Sequence, residues 1–213
     1  MFTVIVNLKT YPETIGNNSK TFMGKISKIQ KPGYELKIAP PFTSLHYSSI
    51  YEEIIAQHVD HQSPGPYTGS VLIEDLMENG IRASLLNHSE RRVGLDNAIK
   101  TLKRATDLGF TLYICCETLE EIEKLSINGA GYIAYEPKEL IGGNISVSTA
   151  KPEIIQKGAD ICKDHGSILL VGAGVKNSDD VRVSKSLGAG GILIASGIVK
   201  AKDPLYTLNS LMI

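Results

Sequence analysis

The chain has 213 residues, 42% of them apolar and 21% charged, with a formal net charge of -1 at pH 7. That length is enough to bury a substantial core, and that charge leaves no global field to recruit nucleic acid or an anionic membrane. No apolar run approaches the roughly 20 residues of a membrane span, and the opening "MFTVIVNLKT" lacks the basic start and small-residue cleavage site of a secretory signal.

Short β-branched runs alternate with longer segments of helical period along the whole chain, with no linker between them, so a single domain over residues 1–213 is expected. In chain order the expected strands are Thr3–Asn7, Glu35–Pro40, Ile54–Val59, Arg82–Asn87, Phe110–Cys115, Gly131–Glu136, Ser167–Gly172 and Gly191–Ser196. Helix-like segments fill most gaps: Ser19–Gln30, Leu95–Gly109, Thr118–Gly129, Ser148–Gly166, Asn177–Gly190 and Asp203–Ile213. Gly109, Gly129, Gly166 and Gly188 each stand where a helix should stop before a strand.

Eight such units argue for an α/β fold, a closed (β/α)₈ barrel of eight parallel strands with helical crossovers. A doubly wound open sheet is the competing arrangement. The second and third units are the weakest, because their crossovers are short or rich in Pro and Gly. Cys115, Cys116 and Cys162 have neither disulfide-framework numbers nor zinc-ligand spacing, which predicts reduced thiols, a cytoplasmic location and no metal.

In barrels of this kind chemistry gathers at the C-terminal ends of the strands. Those ends carry Asn7 and Lys9, then His88, Glu136, the glycines Gly172 to Gly174, and finally Ala195 and Ser196. A cation, an imidazole, a carboxylate and two backbone-rich loops form a coherent set. Forming an enediolate needs a base on one side of the carbon and a hydrogen-bond donor at the oxygen. Glycines let backbone N–H groups approach phosphate oxygens closely. A helix begun by "SERR" after His88 would keep that imidazole neutral.

The motifs "NLK", "NHSERR", "AYEPKELIGG", "GAGV" and "IASGIVKAKDP", in this order, resemble the triosephosphate isomerase family over essentially the whole chain, and its short archaeal branch most of all. The resemblance implies interconversion of dihydroxyacetone phosphate and glyceraldehyde 3-phosphate without a cofactor. It makes Glu136 the base, His88 the neutral electrophile, and Lys9 with Asn7 the electrostatic hold on the substrate. Glu90 becomes a carboxylate supporting them from behind. Ile141 and Gly142 in a lid spanning Pro137–Gly143, with Gly174, Ala195 and Ser196, become the phosphate contacts. The stiff loop His61–Ser70 becomes a subunit interface of a homo-oligomer, a tetramer and at minimum a dimer. Two departures stand out: the chain has no Trp, which many relatives carry in the lid, and it has Gly174 where many have serine. Another phosphosugar isomerase on the same barrel, or a sugar-phosphate-binding barrel that has lost its chemistry, are the alternatives.

Overall fold

Seven of the extended runs become strands, and all their pairings are parallel. The structure is a computed structural model that describes residues 1–137, 151–172 and 174–212. The strands are β1 Phe2–Asn7, β2 Tyr34–Ala39, β3 Ala83–Leu86, β4 Thr111–Cys116, β5 Tyr132–Tyr135, β6 Ile168–Val171 and β7 Gly191–Ile194. They run in the order β2-β1-β7-β6-β5-β4-β3, which brings β7 back beside β1 and leaves β2 and β3 at the edges.

The remaining run joins those edges. Ile54 bridges Ile38 of β2 and Ala56 bridges Ser84 of β3. The Ile55 N–H donates to the Ile38 carbonyl at 2.9 Å, and the Leu85 N–H to the Ala56 carbonyl at 2.8 Å. The ring is thereby closed, and the barrel is the arrangement adopted. The strand expected over Ile54–Val59 is correspondingly short. Past Ala56, the side chains turn to other partners: Gln57 donates to two carbonyls and His58 pairs with Asp60.

Residues alternate between two buried faces, as the period of a strand requires. Ile5, Leu85, Leu170 and Leu193 pack inside the barrel, with Ala39, Ala83 and Ala134 leaving room for Tyr113. Val4, Val6, Ile38, Leu86, Ile114 and Ile192 face outward into the layer beneath the helices. Burial on both sides explains why most of the strands are near-continuous apolar runs; β2 is the exception, with Glu35 and Lys37 alternating among its apolar residues and paired at 2.9 Å. Gly191 is needed where β7 passes β1, since a Cβ there would lie 2.5 Å from the Thr3 carbonyl oxygen.

The expected helices form with shifted ends: Asn17–Ile26, Leu95–Leu108, Leu119–Ile127, Pro152–Asp164, Ser178–Ser186 and Pro204–Leu211, the first beginning two residues before the expected Ser19; residues 148–150 of the fourth lie outside the described residues. Thr118, Asn177 and Asp203 cap three of them, each side-chain oxygen accepting a first-turn N–H. All four glycine stops adopt positive φ, between 68° at Gly109 and 92° at Gly188. Helix Ile73–Glu78, the 3₁₀ run Phe42–Ser49 and the single turn Ser196–Val199 were not legible in the sequence. Segments this short display too few turns to reveal a period.

Candidate active site

At the C-terminal end of the barrel, the loops after β1, β3, β5, β6 and β7 surround one cavity of about 430 Å³. Its wall includes Asn7, Lys9, His88, Glu136, Gly174, Ala195 and Ser196, so the strand-end residues singled out from the sequence meet in one place. Ile141, Gly142 and the rest of the expected lid beyond Pro137 lie outside the described residues.

Lys9 sits two residues past β1 with φ 48°, in the left-handed region. For a residue with a Cβ this costs on the order of 1 kcal/mol or more and persists only where neighbours over-determine it. Here they do. The Lys9 N–H donates to Asn7 Oδ1 at 3.0 Å, and its carbonyl accepts from Gln57 Nε2 at 3.0 Å. Lys9 Nζ lies 2.7 Å from Glu90 Oε1, a carboxylate more than half exposed and therefore easily exchanged for a substrate anion.

His88 follows Asn87, which is buried at φ 59°. The Asn87 amide donates to the Cys115 carbonyl at 2.9 Å, while its Oδ1 accepts from the N–H groups of Val93 and Gly94. This brace fixes the exit from β3 and delivers His88 to the cavity. His88 Nδ1 accepts from the Glu90 N–H at 3.2 Å. A nitrogen that accepts carries no proton, so the ring is the neutral tautomer with its N–H at Nε2. The helix expected after His88 is only the 3₁₀ turn Ser89–Arg91. A single aimed backbone N–H, rather than a long helix dipole, meets Nδ1.

Glu136 is the residue after β5, its N–H donating to the Cys116 carbonyl at 2.8 Å. The residue is 5% exposed, and Oε2 is buried with no hydrogen-bond partner. Across 3.5 Å it faces His88 Nε2, too far for a formed bond and open to an inserted group. Burial pushes the Glu136 carboxyl above the usual 4.5, while His88, the Cys115 thiol and Lys9 pull it part of the way back. The Cys115 thiol is itself driven well above its ordinary range, first by burial and then by Glu136, so it stays protonated as a donor to the carboxylate. The sequence suggested no task for this cysteine, and a nucleophile it is not.

Gly172 makes room for the Glu136 carboxylate. A Cβ there would stand 2.9 Å from Glu136 Oε1 and 3.1 Å from the Leu193 carbonyl oxygen. We expect Gly172→Ala to fold and to lose about 100-fold in kcat, since a displacement near 1 Å is worth about that much. Steady-state kinetics with a melting curve tests this; a destabilised variant of unchanged kcat would show that the glycine serves packing alone.

Gly174 adopts φ 76°, a conformation suited to glycine, at the exit from β6. Ser196, expected as a strand end, instead opens the turn Ser196–Val199 behind Ala195. The leading N–H groups of such a turn have no intrahelical acceptor, which leaves them for an anion. Lys176, Lys200 and Tyr11 also line the wall, and the Lys200 ammonium lies 4.8 Å from the Tyr11 ring centroid. Among the described residues, no three His, Cys, Asp or Glu side chains are grouped to hold a metal ion.

A water-shielded carboxylate, a neutral imidazole donor and a lysine at the mouth of a (β/α)₈ barrel are equipment for moving a proton beside a carbonyl, the class of the aldose–ketose isomerases. The family model described as triosephosphate isomerase matches residues 2–211. The triosephosphate isomerase of Thermoplasma volcanium is 53% identical over 214 residues, covering 100% of both chains. That of Saccharolobus solfataricus is 38% identical over 94% of this chain and 90% of its own, and that of Methanocaldococcus jannaschii 34% identical over 98% of each. The chain belongs to the triosephosphate isomerase family.

Proposed function

We propose that the chain interconverts dihydroxyacetone phosphate and D-glyceraldehyde 3-phosphate, an isomerase step of glycolysis and gluconeogenesis, with Glu136 as base. The observation that carries this assignment is the unpartnered Glu136 Oε2, buried opposite the His88 Nε2–H within the cavity. Glu136 takes the proton from the carbon beside the carbonyl, and the electron pair passes to the oxygen. The His88 Nε2–H stabilises the resulting enediolate, and the Lys9 ammonium, with Asn7, holds the anionic substrate electrostatically. The proton of the adjoining hydroxyl passes to the former carbonyl oxygen, and Glu136 returns its own proton to the former carbonyl carbon, which gives the other triose phosphate. The chemistry is redox-neutral and internal, so no cofactor takes part. Glu90 holds Lys9 by its carboxylate and His88 by its backbone N–H. Gly174, Ala195 and Ser196, with Ile141 and Gly142, take the phosphate. A coupled assay of glyceraldehyde 3-phosphate isomerisation tests the reading. Binding without turnover would leave a sugar-phosphate-binding barrel, and turnover only of larger phosphosugars would move the substrate class. The cytoplasm, where glycolysis runs, is the compartment that follows; among the described residues no helix is long and apolar enough to cross a membrane.

The same reading makes the chain a homo-oligomer, a tetramer built on at least a dimer, through His61–Ser70. In support, the base of that loop is tied: the Asp60 N–H donates to the Val71 carbonyl, the Val71 N–H donates to Asp60 Oδ2, and His58 Nε2 lies 2.9 Å from Asp60 Oδ1. Its tip carries Pro64, Pro66 and a Tyr67 that is 49% exposed, a stiff aromatic projection of the kind interfaces use. Light scattering at micromolar concentration should give the mass of four chains. A fully active monomer would refute the interface.

A further inference from the structure

Lys9 is held in a left-handed conformation, and one of its three anchors comes from a part of the chain with no other claim on the site. Gln57 stands at the end of the closing segment that bridges β2 and β3. Its Nε2 donates to two carbonyl oxygens, Lys9 at 3.0 Å and Ala39 at 2.9 Å. Because both neighbours are acceptors, the atom between them must be the nitrogen, and its two hydrogens are both used. The amide therefore links the exit of β1 to the exit of β2.

We infer that Gln57 is a positioning residue for Lys9, and that it sets how tightly the cavity holds the phosphate ester of the substrate. This deepens the isomerase reading and rests on it. The Lys9 N–H is taken by Asn7 Oδ1 and its side chain by Glu90, an exposed and exchangeable partner. Once substrate displaces Glu90, the backbone must keep the ammonium aimed by itself. The left-handed φ of 48° is unfavourable for lysine, so a Lys9 released at its carbonyl relaxes toward the common negative-φ regions. A rotation there swings a long side chain through several ångströms. Gln57 acts through Lys9, without touching the reacting atoms.

The experiment compares Gln57→Met, which keeps the length and removes both donors, with Gln57→Glu, which places an acceptor against two carbonyls. Each is made in the parent and in a Lys9→Ala background. In the parent, kcat/KM should fall 10- to 100-fold, with inorganic phosphate weakened as a competitive inhibitor by a similar factor. In the Lys9→Ala background the same substitutions should change kcat/KM less than threefold, because the residue they act through is gone. Equal losses in both backgrounds would overturn the inference and leave Gln57 a structural residue of the barrel seam. So would a parent-like kcat/KM in Gln57→Met. A crystal structure of Gln57→Met separates this from the isomerase reading itself: Lys9 should have left the left-handed region, whatever the parent turns over. Lys9 still at positive φ would refute the clamp even if the parent is an isomerase. If Gln57→Glu fails to fold, Gln57→Met supplies the same kinetic and structural readouts.

Discussion

Replacing Glu136 by Gln should remove on the order of 100- to 10,000-fold from kcat, the usual worth of a positioned general base, while the barrel stays folded. Glu136→Asp should retain the base one methylene short of its place and lose about 100-fold. The same burial that would strengthen Glu136 as a base makes it costly to hold charged. Its carboxyl titrates above 4.5 in the folded chain, chiefly through desolvation, and near its ordinary value when unfolded. The folded state therefore binds the proton more tightly. Stability from this group is present below about pH 4.5 and is lost as pH rises through the folded value. Two results follow. The acid limb of kcat/KM should lie above pH 4.5, and Glu136→Gln, which has no charge to bury, should melt higher than the parent at pH 8 despite its lost turnover. A Gln variant of near-parent kcat would remove Glu136 from the mechanism. One that is inactive but clearly less stable at pH 8 would remove the argument from desolvation.

Lys9→Ala should raise KM and lower kcat/KM by about 10- to 100-fold, since hydrogen bonds to a charged group are worth about 1.5–3 kcal/mol each. The variant also puts alanine at a φ of 48°, where it is strained, so the companion Lys9→Gly is informative. Glycine accepts that backbone without penalty and should recover up to about 1 kcal/mol of stability relative to alanine, with no recovery of kcat/KM. Kinetics and denaturant melts on the pair separate the cation from the backbone it rides on. If Lys9→Gly restored activity along with stability, the ammonium would have no part in binding. Inhibition by inorganic phosphate should weaken in both variants to the same extent. Undiminished inhibition would place the anion elsewhere in the cavity.

The barrel is readable in the sequence because strands covered on both faces run to near-continuous apolar stretches, and because Gly109, Gly129, Gly166 and Gly188 mark where four helices turn left-handed. The third unit was misjudged in length for a physical reason. Gln57 and His58 occur in a run that reads as strand, yet their side chains bond to Lys9, Ala39 and Asp60. The chemistry-bearing residues were legible because each falls at the end of a strand and the fold gathers such ends. Their supports were not. Asn87 acts on the Cys115 carbonyl, Gln57 on the Lys9 carbonyl, and Gly172 by leaving space for Glu136. Contacts made to backbone atoms, or to an absence of atoms, between segments far apart in the chain leave no mark on either segment alone.

The ring is uneven in strength. β1 is paired with β2 along six residues, whereas the closing segment holds its neighbours through one bridge on each side. Local opening begins where the fewest cooperative bonds must break, so this seam is where thermal fluctuation should part the barrel first. The segment that parts also carries Gln57 and, just beyond it, the proposed subunit loop. Heating would then disarm the molecule before unfolding it: catalytic rate should decline at temperatures where circular dichroism still reports an intact barrel, with the amides of Ile55 and Ala56 exchanging ahead of those of Val4 to Val6.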